Sequence, residues 1–115
     1  MEFPTLPEFD GELKKLLKKY HSLEEDLNEL KDVLRKFPRG YEPVVFRMAG
    51  LKLITEVYKV KHFRCKALRH KGSRSGVRVI YVYKEQEQVI EFVEIYYKEK
   101  DDLECDKERL SRHYA

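Results

Sequence analysis

The sequence predicts an α+β fold: an N-terminal helical hairpin packed on a small twisted, mainly antiparallel β-sheet of three to four strands, with a short C-terminal helix. Two observations carry that expectation. Apolar residues recur at helical spacing from Phe9 to Phe37, and from Ile54 onward the chain changes to strand-length runs rich in Val, Ile, Tyr and Phe. With 115 residues there is material for one modest core and not for two, so residues 1–115 are read as a single domain.

Residues Met1 to Pro7 hold two prolines and no clear period, the mark of an extended segment that adds an edge strand at most. Phe9, Leu13, Leu16, Leu17 and Tyr20 then line one helix face, while Lys14, Lys15, Lys18 and Lys19 occupy the others. His21 and Ser22 interrupt this helix. Ser22 with Glu25 has the form of a capping box, in which each side chain satisfies the other residue's free backbone N–H. The second helix carries an apolar stripe of Leu23, Leu27, Leu30, Leu34 and Phe37, and ends at Pro38, which has no N–H to continue the ladder. Acidic residues at its start and basic residues toward its end suit the helix dipole.

Residues 39–50 read as a connection with room for one short strand. Three antiparallel strands are expected at Ile54 to Lys66, Val77 to Lys84 and Val89 to Tyr97. In the first of these the alternation slips phase, since Phe63 and Cys65 fall on the parity of Lys59 and Lys61. A β-bulge near His62 would restore it. Ala67 to Gly76 reads as a flexible basic loop. The C-terminal helix is expected to be capped by Asp101 or Asp102 and to end near Arg112, held loosely because Leu103, Leu110 and Tyr114 are its few apolar anchors.

Charge is sorted along the chain. Between Val57 and Lys84 there are nine Lys or Arg residues and no Asp or Glu, leaving the remainder with 15 basic against 21 acidic residues, a net of −6. Such a concentrated positive field draws polyanions, so nucleic acid or an acidic protein segment is the expected partner class. No apolar run is long enough to span a bilayer and the N-terminus lacks the secretory pattern, which points to the cytoplasm. Cys65 and Cys105 fit neither a CxxC nor a Cys/His ligand spacing and are read as core thiols.

Taken in order, FDGELKKLLKKYHSLEEDLNEL, YKVKHFRCK, a basic loop, SGVRVIYVY and IEFVEIYYKEKDD resemble the RelE/ParE superfamily of toxins from bacterial and archaeal toxin–antitoxin pairs, over roughly Phe9 to Asp102. The resemblance implies a toxin bound by a cognate antitoxin in a hetero-oligomer. RelE-like members cleave messenger RNA in the ribosomal decoding site without a metal or other cofactor, so ribosome and mRNA are the implied further partners. ParE-like members share the fold and act on DNA gyrase, and a catalytically silent relative that only binds antitoxin or nucleic acid is a third reading. Fold alone does not choose among them.

Cutting RNA through its own 2′-hydroxyl requires a base for that hydroxyl, positive charge beside the transition state and an acid for the departing 5′-oxygen. By resemblance, Lys59 and Lys61 match the family's lysines on the second strand of the sheet, and Arg78 in SGVR matches its sheet arginine. Arg78 is assigned to transition-state charge, and Lys59 or Lys61 to base or further stabilisation. Where better-understood members place an arginine and a tyrosine, or a histidine, after the last strand, this chain reads Tyr96, Tyr97, Lys98, Glu99, Lys100. Tyr97 is the first choice for the acid, with Lys98 and His62 as alternatives. Arg64, Lys66, Arg69, Lys71 and Arg74 are read as RNA-backbone binders, since phosphate contacts give affinity without sequence information.

Overall fold

A computed structural model describes residues 1–61, 63–71, 75–98 and 105–115, with backbone alone for 69–71. Two helices, α1 (Pro7–Leu17) and α2 (Leu23–Lys36), precede strands β1 (Val45–Arg47), β2 (Glu56–Val60), β3 (Val77–Lys84) and β4 (Val89–Tyr97), and α3 (Lys107–Tyr114) follows. The strands form one antiparallel sheet in the order β1-β2-β3-β4. This is the α+β arrangement the residue pattern predicts.

Pro7 opens α1 at a position where its missing N–H costs nothing. The segment before it lies along β4, where Glu2 and Thr5 bridge in parallel to Val89 and Phe92. That backbone covers an edge that would otherwise present unpaired groups. The helices pack on the sheet face that carries Phe92, whose ring stacks on Phe9 at 5.5 Å and on Phe3 at 6.0 Å. On the same face Tyr81 stacks on Tyr58 at 5.2 Å, and its hydroxyl donates to Pro38 O at 3.0 Å, just past the end of α2.

Three local expectations are corrected. The Ser22–Glu25 capping box does not form. Ser22 Oγ instead donates to Asp26 Oδ2 at 2.7 Å and accepts the Ala67 N–H at 2.8 Å. Asp26 is 2% exposed, so its carboxylate needs donors, and the Lys66 N–H supplies one at 3.2–3.3 Å. These bonds hold a 3₁₀ segment, Lys66–Lys71, kinked at Leu68, against α2, where a loose loop was expected.

The second correction concerns β2. It runs only from Glu56 to Val60, and Ile54, expected within it, is fully exposed. The phase slip is met by the strand ending early, while Phe63 and Cys65 turn into the core. His62, where an inserted residue was expected, lies outside the described residues. A bulge occurs elsewhere: Ile80 pairs with Glu94 and Tyr81 with Phe92, which leaves Val93 as the extra residue in β4.

The third is the C-terminal helix. It begins at Lys107 with Asp106 as its cap, accepting the Arg109 N–H at 3.1 Å. Asp101, Asp102 and Leu103 lie outside the described residues. The helix is firmly seated, because Leu110 is buried and the Arg109 side chain, 9% exposed, donates to both carboxylate oxygens of Glu12 at 2.9 and 2.8 Å and to Val93 O at 2.8 Å.

Candidate functional site

Strand register decides which of the basic residues meet. Lys59 stands opposite Phe46 on β1 and Ile80 on β3, and Arg78 stands opposite Tyr96 on β4. Directly paired residues project to one side of a sheet, as do residues two apart on a strand. Lys59, Ile80, Arg78 and Tyr96 therefore share the face turned away from α1 and α2. Lys61 follows the last β2–β3 pair, Val60↔Val79, and so comes level with Arg78. Its N–H continues the ladder to Val44 O at 2.8 Å, and its ammonium lies 5.1 Å from the centre of the Phe46 ring. Those contacts place Lys61 on the same face.

Lys61 is exposed, while Lys59, Arg78 and Tyr96 are half-buried. Arg78 Nη1 reaches Val77 O at 3.4 Å, a long contact, and among the described residues no carboxylate lies within ion-pair distance of Arg78 or Lys61. Lys66, by contrast, has its ammonium 2.7 Å from Glu29 and 3.5 Å from Glu25 on α2, and the Glu29 hydrogen bond raises its pKa above the ordinary lysine value.

Tyr97 does not join this group. It pairs with Val77 and its ring stacks on Tyr20 at 5.7 Å, on the helix side of the sheet. The neighbouring Tyr96 takes the position opposite Arg78. Reading the sequence could not separate the two tyrosines, because the pairing of β4 with β3 alone assigns them to faces. Of the remaining expected RNA contacts, Arg64 is exposed and lines a groove of about 270 Å³ with Asp26, Glu29, Tyr41, Val44 and Phe63. Arg69 and Lys71 belong to the 3₁₀ helix, their side chains outside the description, and Arg74 lies outside the described residues, as does the alternative acid His62. Lys98, the other alternative, is half-buried, and its N–H donates to Gly76 O at 2.7 Å at the end of the sheet.

Glu94 escaped the sequence reading. It occupies the cross-strand row of Phe46, Lys59 and Ile80, is 7% exposed, and accepts the Asp106 N–H at 2.8 Å. Burial raises its pKa above the usual carboxylate range, and the Asp106 N–H opposes that shift. A carboxyl with a raised folded pKa adds stability that is complete below its unfolded pKa and is lost as pH climbs through the folded one. Glu94→Gln, which keeps an acceptor for Asp106, should therefore raise the Tm at neutral pH. Thermal melts should show no gain at about pH 3, below the ordinary glutamate pKa of about 4.3, where both states hold the proton. A gain of equal size at both pH values would refute the ionisation argument.

Among the described residues, no three His, Cys, Asp or Glu side chains cluster so that they could hold a metal ion, and no helix is long and apolar enough to cross a membrane. The elements and their order make a RelE-like fold. The chain is similar to a chain in the crystal structure of the archaeal RelE–RelB complex from Pyrococcus horikoshii OT3, with a TM-score of 0.58 over 86% of this chain and 96% of that chain, at 17% sequence identity. No protein-family model matches the sequence, and no curated protein matches it.

Proposed function

We propose that this protein is a RelE-like toxin of a toxin–antitoxin pair, a metal-independent endoribonuclease that cuts messenger RNA on the ribosome and is held in check by a cognate antitoxin. The reading rests on Lys59, Lys61 and Arg78 sharing one face of the sheet, with Tyr96 beside Arg78 in register. The RelE–RelB likeness supports the fold and the expectation of an antitoxin partner.

In this reaction the 2′-oxygen attacks the adjacent phosphorus as a lysine, Lys59 or Lys61, in its uncharged amine form takes the hydroxyl proton and becomes an ammonium. The P–O5′ bond breaks, and the phenol of Tyr96, whose hydroxyl is covered in the resting protein and has to be uncovered as RNA binds, gives its proton to the departing oxygen. The products are a 2′,3′-cyclic phosphate and a free 5′-hydroxyl. Arg78 supplies fixed positive charge to the phosphoryl oxygens as negative charge builds, the kind of preorganised contact that is worth most in a partly desolvated site.

Induction of the chain followed by primer extension on cellular transcripts tests the proposal. Cuts in register with codons, accompanied by arrested translation, are the expected outcome. Intact transcripts together with a DNA-damage response would instead assign the protein to gyrase. The acid is tested separately. Tyr96→Phe should lower cleavage about 10²-fold, within the range for a lost proton donor, while Tyr97→Phe leaves the rate near wild type. The reverse order of effects would return the role to Tyr97.

A further inference from the structure

The basic charge of α1 is not used by the site just described. Residues 13–23, LKKLLKKYHSL, contain no acid. The carboxylates of the helix all lie in its first half and are engaged there: Glu8 with Arg112 and His113, Asp10 with Thr5, and Glu12 with Arg109. Lys14, Lys15, Lys18 and Lys19 are exposed, and among the described residues none has a carboxylate within ion-pair distance. Lysines near a helix C-terminus also favour the dipole, but that effect falls off within the last turn. Lys18, the C-cap of α1, benefits from it, whereas Lys14 and Lys15 lie within the helix.

Position makes this ridge more than a wet surface. Lys19 lies over the Tyr20 ring at 5.5 Å, and Tyr20 stacks on Tyr97 at 5.7 Å. That stack fixes the cationic end of α1 beside the end of the sheet where Tyr96 pairs with Arg78. Lys98, bonded through its N–H to Gly76 O, stands at the same end. Basic residues thus stand on both sides of this end of the sheet, Lys61 and Arg78 on one face and the α1 lysines on the other.

We infer that the α1 lysines form a second RNA-backbone surface, which holds the strand as it leaves the site around the end of the sheet. The inference extends the nuclease reading and rests on it for the direction of the strand. Its physical basis is release of counterions from phosphates neutralised by lysine, and so it predicts a salt dependence.

The test is fluorescence anisotropy of a labelled oligo-uridine with the full chain, titrated at several salt concentrations. Lys15→Gln/Lys18→Gln should reduce the slope of log K against log salt by roughly 1.4, at about 0.7 per phosphate for a single strand. Lys36→Gln/Lys107→Gln removes equal charge from exposed positions on α2 and α3 and should leave the slope unchanged. An unaltered slope in the α1 variant would overturn the inference, as would equal losses in both variants. Poly-L-glutamate at matched charge should compete poorly; displacement as efficient as that by unlabelled oligo-uridine would assign the ridge to an acidic protein and overturn the RNA assignment. Failure of the nuclease reading looks different: transcripts remain intact although the α1 variant still loses slope.

Discussion

Arg78→Ala should abolish growth arrest and slow RNA cleavage about 10³-fold, the upper range for removal of one preorganised charge-stabilising group. The size follows from what the side chain does in the resting protein. It is half-buried and, among the described residues, makes no ion pair, so little of the fold depends on it. Truncating such a side chain changes stability by about 0.5 kcal/mol or less, and the thermal midpoint of the variant should match wild type. Arg78→Lys should fall between the two, because an ammonium keeps the charge but not the planar fork that contacts two phosphoryl oxygens at once. Codon-phased primer extension and a melting curve on the same preparation measure both quantities. Wild-type toxicity in a folded Arg78→Ala variant would remove this face from the chemistry.

What could be read from the residues, and what could not, follows from the range over which each feature is determined. The α2 stripe of Leu23, Leu27, Leu30 and Leu34 is buried as its spacing indicates. Strands β3 and β4 begin and end where their apolar runs do, with Gly76 and Gln88 at positive φ marking the turns between elements. These are local signals. The late start of β2 was not legible because Thr55 and Ile54 have good strand character, yet Ile54 is fully exposed and Met48, Leu51, Leu53 and Thr55 line a recess with Val57. The 3₁₀ helix at Lys66–Lys71 depends on Asp26, some 40 residues earlier, needing donors for a buried carboxylate.

The site divides in the same way. Lys59 and Lys61 could be placed on one face by alternation within their own strand and Arg78 was chosen by resemblance, but bringing the three together, and choosing between Tyr96 and Tyr97, needed the register of the sheet. That register includes the bulge at Val93. Nothing in the local pattern around EFVEIYYK announces which residue will be extra. Glu94 was passed over for a related reason: a glutamate in a strand reads as solvent-facing until the Asp106 backbone is found across it.

The largest loss of stability is expected at Glu12, a residue whose exposed helical surroundings give no hint of it. Glu12 receives two hydrogen bonds from the Arg109 guanidinium, which is almost entirely withdrawn from water and is also bonded to Val93 O in the bulge of β4. One ion pair thus joins α1, β4 and α3. Glu12→Ala leaves the buried arginine, among the described residues, with only the longer carboxylate contact of its Nε to Asp106 Oδ2 at 3.8 Å. The cost is about 3 kcal/mol, or a fall in Tm on the order of 10 °C for a domain of this size. Removing both charges should do far less harm. In Glu12→Leu/Arg109→Met no ion is stranded, and apolar replacements of similar volume recover most of the loss. Differential scanning calorimetry of the single and double variants gives the coupling directly. If Glu12→Ala melts within a degree or two of wild type, α3 is held by Leu110 and the Asp106 cap, and the ionic account of its docking is wrong.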